Sequence, residues 1–346
     1  MINSVLKGAS CRVRKRTIQP LRTSCAVLFL LTLMSPIATA QSQPFTVAWW
    51  NVENLFDTRD DPRTHDDDFT PRGELHWNRT RLDNKLRGIY RTLTLMDLPD
   101  VVGLGEVEND YVLRELTGAT PLVEAGYSYV HFDSPDRRGI DCALIYRRDR
   151  FTVTASGVVS LSDSAEGFFT RDILQVEGRT PEGDTLCFLV NHWPSKRGGD
   201  EAEARRLEAA QTLRRLMVDL KAEHPGAAVV AMGDFNCTSD EAPISHGMAF
   251  GTDSINPDGI RNLTLRLPKA WGSHKFQGLW DYLDQMFILA DEPWMVGDIK
   301  VMRFDHLLTP EQAKTGQRPK RTYQGTRYEA GLSDHLPLLL RLKKQN

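Results

Sequence analysis

Runs of apolar residues with strand-like spacing recur along the chain and alternate with segments of helical spacing. Strands are predicted at residues 45–51, 101–104, 142–146, 151–161, 185–193, 229–232, 282–289 and 338–342, with another near 127–132. Helices are predicted at 80–96 and 201–223, where apolar residues recur every three or four positions, and a short one at 111–116. The polar segment 57–77 and the Gly-, Pro- and Asn-rich segment 238–275 are predicted loops. This alternation indicates a mixed α/β fold.

Several predicted strands are apolar on both faces, as strand 185–193 illustrates. Phe188, Val190 and His192 share one face of this strand, whereas Cys187 and Leu189 share the other. Strands of this kind occur in sheets that are covered on two sides. Strand 151–161 is expected to lie beside strand 142–146. We find no repeat or linker, so residues 41–346 are predicted to form a single domain.

The first forty residues differ in composition from the rest of the chain. They contain six Lys and Arg residues and no acid, followed by an apolar run at 25–34 and the small-residue ending Ala38-Thr39-Ala40. This order is typical of a secretory signal peptide, so we predict cleavage after Ala40 and a periplasmic or secreted protein. The apolar run is short for a bilayer span, which makes an uncleaved anchor the weaker alternative.

The net charge limits the kinds of partner that the chain can attract. Six of the 43 Lys and Arg residues lie in the predicted signal peptide, so its removal changes the net charge from −3 to −9. An acidic chain has no general attraction for polyanions, so a nucleic acid would have to be held by a local site, with help from a metal ion. Cys142, Cys187 and Cys237 remain. Two of them could pair, but their odd number and spacing form neither a disulfide framework nor a zinc motif.

Residues 229–236 combine a strand that is apolar on both faces with a polar end. Gly233 is expected to break the strand, and Asp234 and Asn236 follow it. An acid and an amide at this position can orient water and bind a phosphate oxygen. Asp and Asn are also ordinary turn residues, so this stretch alone leaves both interpretations open.

Polar side chains lie at the ends or starts of five further strands. In such folds ligands bind where strand ends meet, and a set of oxygen ligands with few nitrogens favours Mg2+, Mn2+ or Ca2+ over zinc. Such a cluster suits hydrolysis of a phosphate ester. Asp284 interrupts an apolar run, where an unpaired carboxylate is costly, so His335 is its expected partner. The further groups are Asn51 with Glu53, Glu106, His192, Asp284, and Asp334 with His335.

Six motifs in order resemble the endonuclease/exonuclease/phosphatase superfamily, the DNase I-like group of metal-dependent phosphodiesterases and phosphatases. They are NVEN, GLGEVEN, VNHW, GDFN, LDQMFI and SDHLP, and the resemblance covers nearly the whole chain after residue 40. It implies a four-layer α/β sandwich, in which two packed mixed β-sheets are flanked by helices. The two-sided burial predicted above is what such a fold requires.

The resemblance also implies roles for residues that match its motifs. Glu106 resembles the principal metal-binding glutamate, which Asn51, Glu53 and Asp334 would complete or support. A related branch of the superfamily has Asp at the position of Glu53. The contact of Glu53 with the metal is therefore either direct or through water. The metal would be Mg2+, Mn2+ or Ca2+. Trp49 and the neighbouring Trp50 are interpreted as core residues without a role toward the substrate.

The remaining implied roles concern the phosphate and the attacking water. Asp234 resembles the acid that orients the water, and Asn236 its phosphate-binding partner. His335 resembles the imidazole that contacts the scissile phosphate, with Asp284 as its orienting carboxylate. His192 occupies the position of a second catalytic histidine in DNase-like members, and Arg171 resembles, more loosely, a phosphate-contacting arginine.

We therefore expect an exported, divalent-metal-dependent phosphodiesterase, with DNA or RNA as the expected substrate and no protein partner. The first alternative is a phosphatase or phospholipase-type phosphodiesterase that acts on inositol phosphates or sphingomyelin. A membrane-acting branch would need an exposed aromatic hairpin, and the sequence shows no convincing one. The second alternative is a non-catalytic binding protein on the same fold. The complete set of polar groups argues against it, because a retired site has no need of every acid and imidazole.

Overall fold

The computed structural model describes residues 43–250, 254–291, 294–311 and 316–344. The predicted signal peptide therefore lies outside the described residues. Three α-helices are present in the described part, namely α1 (Arg79–Leu95), α2 (Asp110–Gly118) and α3 (Gly199–Glu223). Asn78 and Asn109 cap the first two helices, since their side chains accept hydrogen bonds from the amides of Arg81 and Val112. None of the helices in this part is long and apolar enough to cross a membrane.

Twelve strands form two six-stranded sheets. The strands are β1 (Phe45–Leu55), β2 (Val101–Val107), β3 (Tyr127–His131), β4 (Asp141–Arg147), β5 (Thr152–Val159), β6 (Ile173–Arg179), β7 (Thr185–His192), β8 (Ala228–Asp234), β9 (Arg261–Asn262), β10 (Asp284–Leu289), β11 (Trp294–Val301) and β12 (Leu338–Lys344). The first sheet has the order β11-β12-β1-β2-β4-β3 and the second has the order β5-β6-β7-β8-β10-β9.

Each sheet has one parallel pair near its centre, formed by a strand–helix–strand unit. β1 and β2 form a parallel pair, and α1 lies between them in the sequence. β7 and β8 form the other parallel pair, and α3 lies between them in the sequence. The other pairs are antiparallel. A helical crossover is the usual connection between parallel neighbours, because it returns the chain to the same end of the sheet.

The two faces of β7 contact different cores, as its apolar pattern predicted. Phe188 and Val190 belong to the core that includes residues of the first sheet, whereas Cys187 and Leu189 pack in a second core with apolar residues of α3. Helix α1 buries Leu82 and other apolar residues against the first core. The mixed sheets with flanking helices confirm the predicted α/β sandwich.

The structure corrects three local predictions. Strand β5 is not a neighbour of β4, because the turn after β4 carries the chain into the second sheet, where β5 pairs with β6. Gly233 does not break β8 but lies inside it. A Cβ at this position would stand 2.4 Å from the Asn191 carbonyl oxygen, so glycine permits the close approach of β7. Strands β6 and β11 were not predicted, because each is interrupted by polar residues, and the two-residue strand β9 lies within the predicted loop 238–275.

Candidate active site

The polar groups predicted from the sequence meet at one edge of the paired sheets. The carboxyl ends of β1, β2, β7 and β8 lie there, because the strands of each parallel pair run in the same direction. Strand β10 is antiparallel to β8 and therefore begins at this edge, where Asp284 pairs with Asp234. Strand β12 is antiparallel to β1 and begins there too, just after His335. The topology thus converts separate motifs into one cluster.

Asp284 and His335 form the shortest contact of the cluster. The Nδ1 atom of His335 lies 2.6 Å from Oδ2 of Asp284, and the Nε1 atom of Trp49 donates to Oδ1 of the same carboxylate at 2.7 Å. Asp284 is fully buried. Burial alone would lower the pKa of His335, but Asp284 and Asp234 raise it well above its usual value. The expected pairing of the two residues is confirmed, and it favours the protonated form of the imidazole.

Asp234 lies between the two imidazoles of the cluster. Its Oδ2 atom is 3.6 Å from Nε2 of His335 and 3.8 Å from Nε2 of His192. The amide nitrogen of Asn51 donates to the same oxygen at 3.1 Å, and the backbone amide of Asn236 donates to Oδ1 at 2.9 Å. Burial raises the pKa of Asp234 to about 6, although His335 acts in the opposite direction. A carboxylate with such a pKa is suited to accept a proton near neutral pH.

Glu106 is aimed into the site by irregular backbone. Its φ angle is +62°, and the register between β2 and β4 shifts at this residue, which marks a bulge. A second bulge lies in β1, where Glu53 and Asn54 have φ angles of +51° and +55°. The backbone amide of Asn54 donates to Oε2 of Glu106 at 2.8 Å. Positive φ angles at residues other than glycine cost free energy, and they concentrate at functional sites.

Glu53 and Asp334 both form ion pairs with Arg321, a residue that the sequence did not indicate. The Nε atom of Arg321 lies 3.2 Å from Oε1 of Glu53, and its Nη2 atom lies 2.7 Å from Oδ2 of Asp334. Burial and the Asp334 carboxylate raise the pKa of Glu53 to about 7. Lys85, also buried, donates to the Glu53 carbonyl oxygen at 2.5 Å. Burial lowers the pKa of Lys85 to about 8.

His192 lies at the end of β7 and faces two carboxylates with one ring nitrogen. Its Nε2 atom is 3.9 Å from Oε1 of Glu106 and 3.8 Å from Oδ2 of Asp234. Its Nδ1 atom is buried without a hydrogen-bond partner among the described residues. Burial, Arg171 and Arg138 lower the pKa of His192 well below its usual value, so this imidazole is neutral.

Arg171 is buried and its guanidinium is occupied by protein groups. It donates to the carbonyl oxygens of His192 at 3.1 Å and Trp193 at 2.6 Å, and to the Asp136 carboxylate at 2.9 Å. The predicted contact of Arg171 with substrate phosphate stays a prediction. These bonds favour a role in holding the chain after β7, where the side chain of Asn236 also donates to the Trp193 carbonyl oxygen at 3.0 Å.

Sequence reasoning missed several residues that position the cluster. Trp49 bonds to Asp284, and the Nε1 atom of Trp50 donates to the carbonyl oxygen of His335 at 3.0 Å, so both are core residues that also hold catalytic candidates. Ser333 accepts from the His335 amide at 2.9 Å and donates to the Asn51 carbonyl oxygen at 2.6 Å. The SDHLP motif contained the signal for Ser333. Nothing in the pattern around Trp49, Trp50, Lys85 or Arg321 separated them from ordinary core or surface residues.

The chemistry of the donor groups fits a hard divalent cation. Glu106 is the best candidate ligand, because Oε1 has only a 3.5 Å contact with the Asn51 amide nitrogen and its side chain is partly exposed. Asp334 also presents a carboxylate at this edge. Asn51 donates through its amide nitrogen and Glu53 is bonded to Arg321, so both support the site in this arrangement. The candidate ligand atoms of Glu106 and Asp334 are carboxylate oxygens, as Mg2+ and its relatives prefer. The described cysteines Cys142, Cys187 and Cys237 are buried free thiols.

A sequence model of the Endonuclease/Exonuclease/phosphatase family matches residues 46–344. The chain therefore belongs to this family, as its motifs predicted. The family contains phosphodiesterases and phosphatases, which hydrolyse phosphate esters and generally depend on a divalent metal ion. Comparison with curated protein sequences found no match.

Solved structures show the same fold at low sequence identity. TDP2 from D. rerio carrying 14 humanizing mutations is 17% identical with a TM-score of 0.56, and the match covers 87% of this chain and 100% of the other. The human nocturnin catalytic domain is 16% identical with a TM-score of 0.54, over 87% and 95% of the two chains. A mannosyl-6-phosphatase from Bacteroides thetaiotaomicron is 16% identical with a TM-score of 0.54, over 86% and 99%.

Proposed function

We propose that this chain is an exported, divalent-metal-dependent phosphodiesterase that cleaves DNA or RNA. The observation that carries the proposal is the buried Asp284–His335 pair, which places a protonated imidazole 3.6 Å from the Asp234 carboxylate. A cation and a base at this separation can contact a phosphoryl oxygen and the attacking water of the same phosphoryl transfer, in which charge stabilisation and water positioning supply most of the catalysis.

His335 supplies positive charge toward the phosphate. Asp284 fixes the ring through Nδ1, which leaves the Nε2–H group to face the reacting phosphoryl oxygen. Because the carboxylate stays buried and bonded to Trp49, the imidazole does not have to reorganise when charge develops on that oxygen.

Asp234 accepts the proton of the attacking water. The backbone amide of Asn236 and the side chain of Asn51 bond to different oxygens of Asp234, so its orientation is held from two sides. Glu106, supported by Asn51, Glu53 and Asp334, would hold the divalent ion. When bound, the ion stabilises the negative charge of the phosphoryl oxygens. The side chain of Asn236 would bind a phosphate oxygen once its hydrogen bond to the Trp193 carbonyl oxygen is broken.

Export is proposed from the pattern of residues 1–40 alone. Nucleic acid as the substrate is supported by the family, and by the similar fold of TDP2 from D. rerio, of which a complex with a single-stranded DNA product has been solved. A phosphatase is the second candidate, since the similar fold from Bacteroides thetaiotaomicron is a mannosyl-6-phosphatase.

A substrate panel with purified protein beginning at residue 41 tests the proposal. We expect hydrolysis of bis(4-nitrophenyl) phosphate and of oligonucleotides in Mg2+, loss of both with a chelator, and much slower release of phosphate from sugar and inositol monophosphates. Faster hydrolysis of monoesters than diesters would favour the phosphatase. Cleavage of sphingomyelin alone would favour the phospholipase, and no hydrolysis in any metal would favour the non-catalytic alternative.

A further inference from the structure

A cavity of about 390 Å³ opens directly beside the candidate catalytic residues. Its inner wall includes Asp334, which is adjacent in sequence to His335, and its other walls include His274, Phe276, Arg318 and Arg321. This volume lies in the lower part of the range of small-ligand sites, so the cavity admits one nucleotide-sized group rather than a duplex. None of these wall residues was assigned a substrate-binding role from the sequence.

One wall is a short hairpin that is attached to the catalytic histidine. Its strands, His274–Phe276 and Leu279–Asp281, are antiparallel. The backbone of His274 forms a β-bridge with His335, and their rings lie 4.7 Å apart. The amide of Leu336 also donates to the Ser273 carbonyl oxygen at 2.7 Å. These contacts fix the position of the hairpin relative to the site of chemistry.

The hairpin tip presents apolar side chains to solvent. Gln277 and Gly278 both have positive φ angles, +49° and +84°, which are the angles of a tight two-residue turn. Phe276 is 63% exposed and Leu279 is 70% exposed, more than any other large apolar side chain among the described residues. This exposed aromatic hairpin was not predicted from the sequence, because strands of three residues leave little pattern. An aromatic ring held at the rim of an active site is a surface on which a planar group can stack.

The charges of the cavity suit an anionic substrate more than those of the chain as a whole do. Its lining includes three cationic side chains, Lys275, Arg318 and Arg321, against two acidic ones, Glu311 and Asp334. The side chain of Arg321 is 47% exposed although it pairs with Glu53 and Asp334. Arg318 donates to the side chain of Gln324 at 3.0 Å, so polar groups cover the wall opposite the hairpin. An aromatic surface beside arginines is the combination that binds single-stranded nucleic acid, whereas charged side chains beside a tip are costly to place inside a bilayer.

We propose that this cavity binds one nucleoside of a single-stranded polynucleotide, with its base stacked on Phe276 and its phosphate reaching His335. The inference rests on the proposed phosphodiesterase function and adds a strand preference to it. Arg321 lines the cavity and bonds to both Glu53 and Asp334, so its guanidinium connects the cavity wall to the site of chemistry. Duplex DNA would have to open before a base could enter.

The test compares Phe276→Ala, Phe276→Trp and Met295→Ala with the unaltered chain. Met295 is an exposed apolar residue in β11 whose partner in β12 is Lys343, near the end of that strand away from the site, so it serves as the matched control. The substrates are a single-stranded pentanucleotide and bis(4-nitrophenyl) phosphate, both in Mg2+. We expect Phe276→Ala to lower the ratio of kcat/KM for the oligonucleotide to that for the small diester about tenfold. Phe276→Trp should restore the ratio and Met295→Ala should not change it.

An unchanged ratio in Phe276→Ala would overturn the cavity assignment while leaving the phosphodiesterase intact. Binding of a fluorescent pentanucleotide provides a second readout that does not require turnover. If the unaltered chain hydrolyses neither substrate, the proposed function fails, and the Kd of Phe276→Ala still decides the cavity: a tenfold increase supports it and an equal Kd overturns it. If Phe276→Ala instead loses binding to phosphatidylcholine vesicles and binds the oligonucleotide normally, the tip serves a lipid surface and the proposal is wrong.

Discussion

The surroundings of His335 and His192 differ in a way that their sequence positions do not show. Both imidazoles are almost fully buried, at 6% and 4% exposure, and both lie within 4 Å of Asp234. His335 has a buried carboxylate 2.6 Å from Nδ1, whereas His192 has no hydrogen-bond partner for Nδ1 among the described residues and lies beside a buried arginine. The pKa of His335 is therefore raised and that of His192 is lowered.

The difference shows that burial does not determine the charge of these histidines. Burial disfavours the imidazolium at both positions, and nearby carboxylates, first of all Asp284 and then Asp234, reverse the effect at His335 alone. The two rings can therefore serve the same phosphate differently, His335 as a cation and His192 as a neutral hydrogen-bonding group. The following substitutions test that division, in order of expected effect.

Asp234→Asn removes the carboxylate that both imidazoles approach and should have the largest effect. We expect turnover to fall by about 10²–10⁴-fold, because the amide keeps the shape of the side chain and one of its two accepting oxygens but cannot accept a proton from water. Substrate should still bind, which equilibrium binding of an oligonucleotide in Ca2+ would measure. Normal turnover together with weaker binding would instead make Asp234 a binding group.

Substitutions of His335 and Asp284 should show that the two residues act as a unit. His335→Ala should lower turnover by about 10²–10³-fold, and Asp284→Asn should cause a similar loss by leaving the ring uncharged or misoriented. The double variant should be little worse than His335→Ala alone, since the second change removes nothing that remains in use. A double-mutant cycle on kcat measures this coupling, and fully additive losses would refute it.

The same pair predicts an alkaline limb in the pH–rate profile. His335 acts as a cation, so activity should fall as pH rises through its raised pKa in the folded protein. The pair's contribution to stability has the same sign: it is fully present below the pKa of an unfolded histidine and is lost above the folded value. Asp284→Asn should move the limb to lower pH. A limb that stays in place would assign the titration to another group.

Glu106→Gln should weaken metal binding more than it weakens folding. The amide keeps the shape of the side chain but removes charge that a hard cation requires, so we expect the metal Kd to rise about 10–100-fold. Glu108→Gln is the matched control from the same motif. Burial raises the pKa of Glu108 to about 8, so its replacement by a neutral amide should leave metal binding unchanged. Titration calorimetry with Mn2+ measures both, and equal affinities for the two variants would exclude Glu106 as the principal ligand.

His192→Gln should have the smallest effect and separates the two histidines most directly. A neutral imidazole supplies one hydrogen bond, so we expect a loss of about fivefold in kcat/KM, and the alkaline limb should remain unaltered. A loss as large as that of His335→Ala, or disappearance of the limb, would show that His192 is the ionised catalyst.

Much of the site could be predicted, because the family motifs themselves contain the residues that form it. Asp284, Asp234, Asn236 and His335 lie together as the motifs implied. Arg171 illustrates the limit of this approach: its charge matched a phosphate-binding role, but its bonds to carbonyl oxygens and Asp136 form only in the folded chain. Lys85 lies within the predicted helix 80–96, and nothing in the helical pattern indicates that its ammonium donates to the Glu53 and Leu332 carbonyl oxygens.

The sequence by itself determined the strand–helix alternation, the two-sided burial of β7 and the residue types at the strand ends. These features depend on local periodicity and on which groups tolerate burial, and both can be seen in a linear chain. Only the tertiary structure decided that β5 joins the second sheet, that Arg321 bridges Glu53 and Asp334, and that one histidine is charged and the other neutral. Each of these depends on atoms distant in sequence, and electrostatic interactions in a buried site are set by distances of a few ångströms.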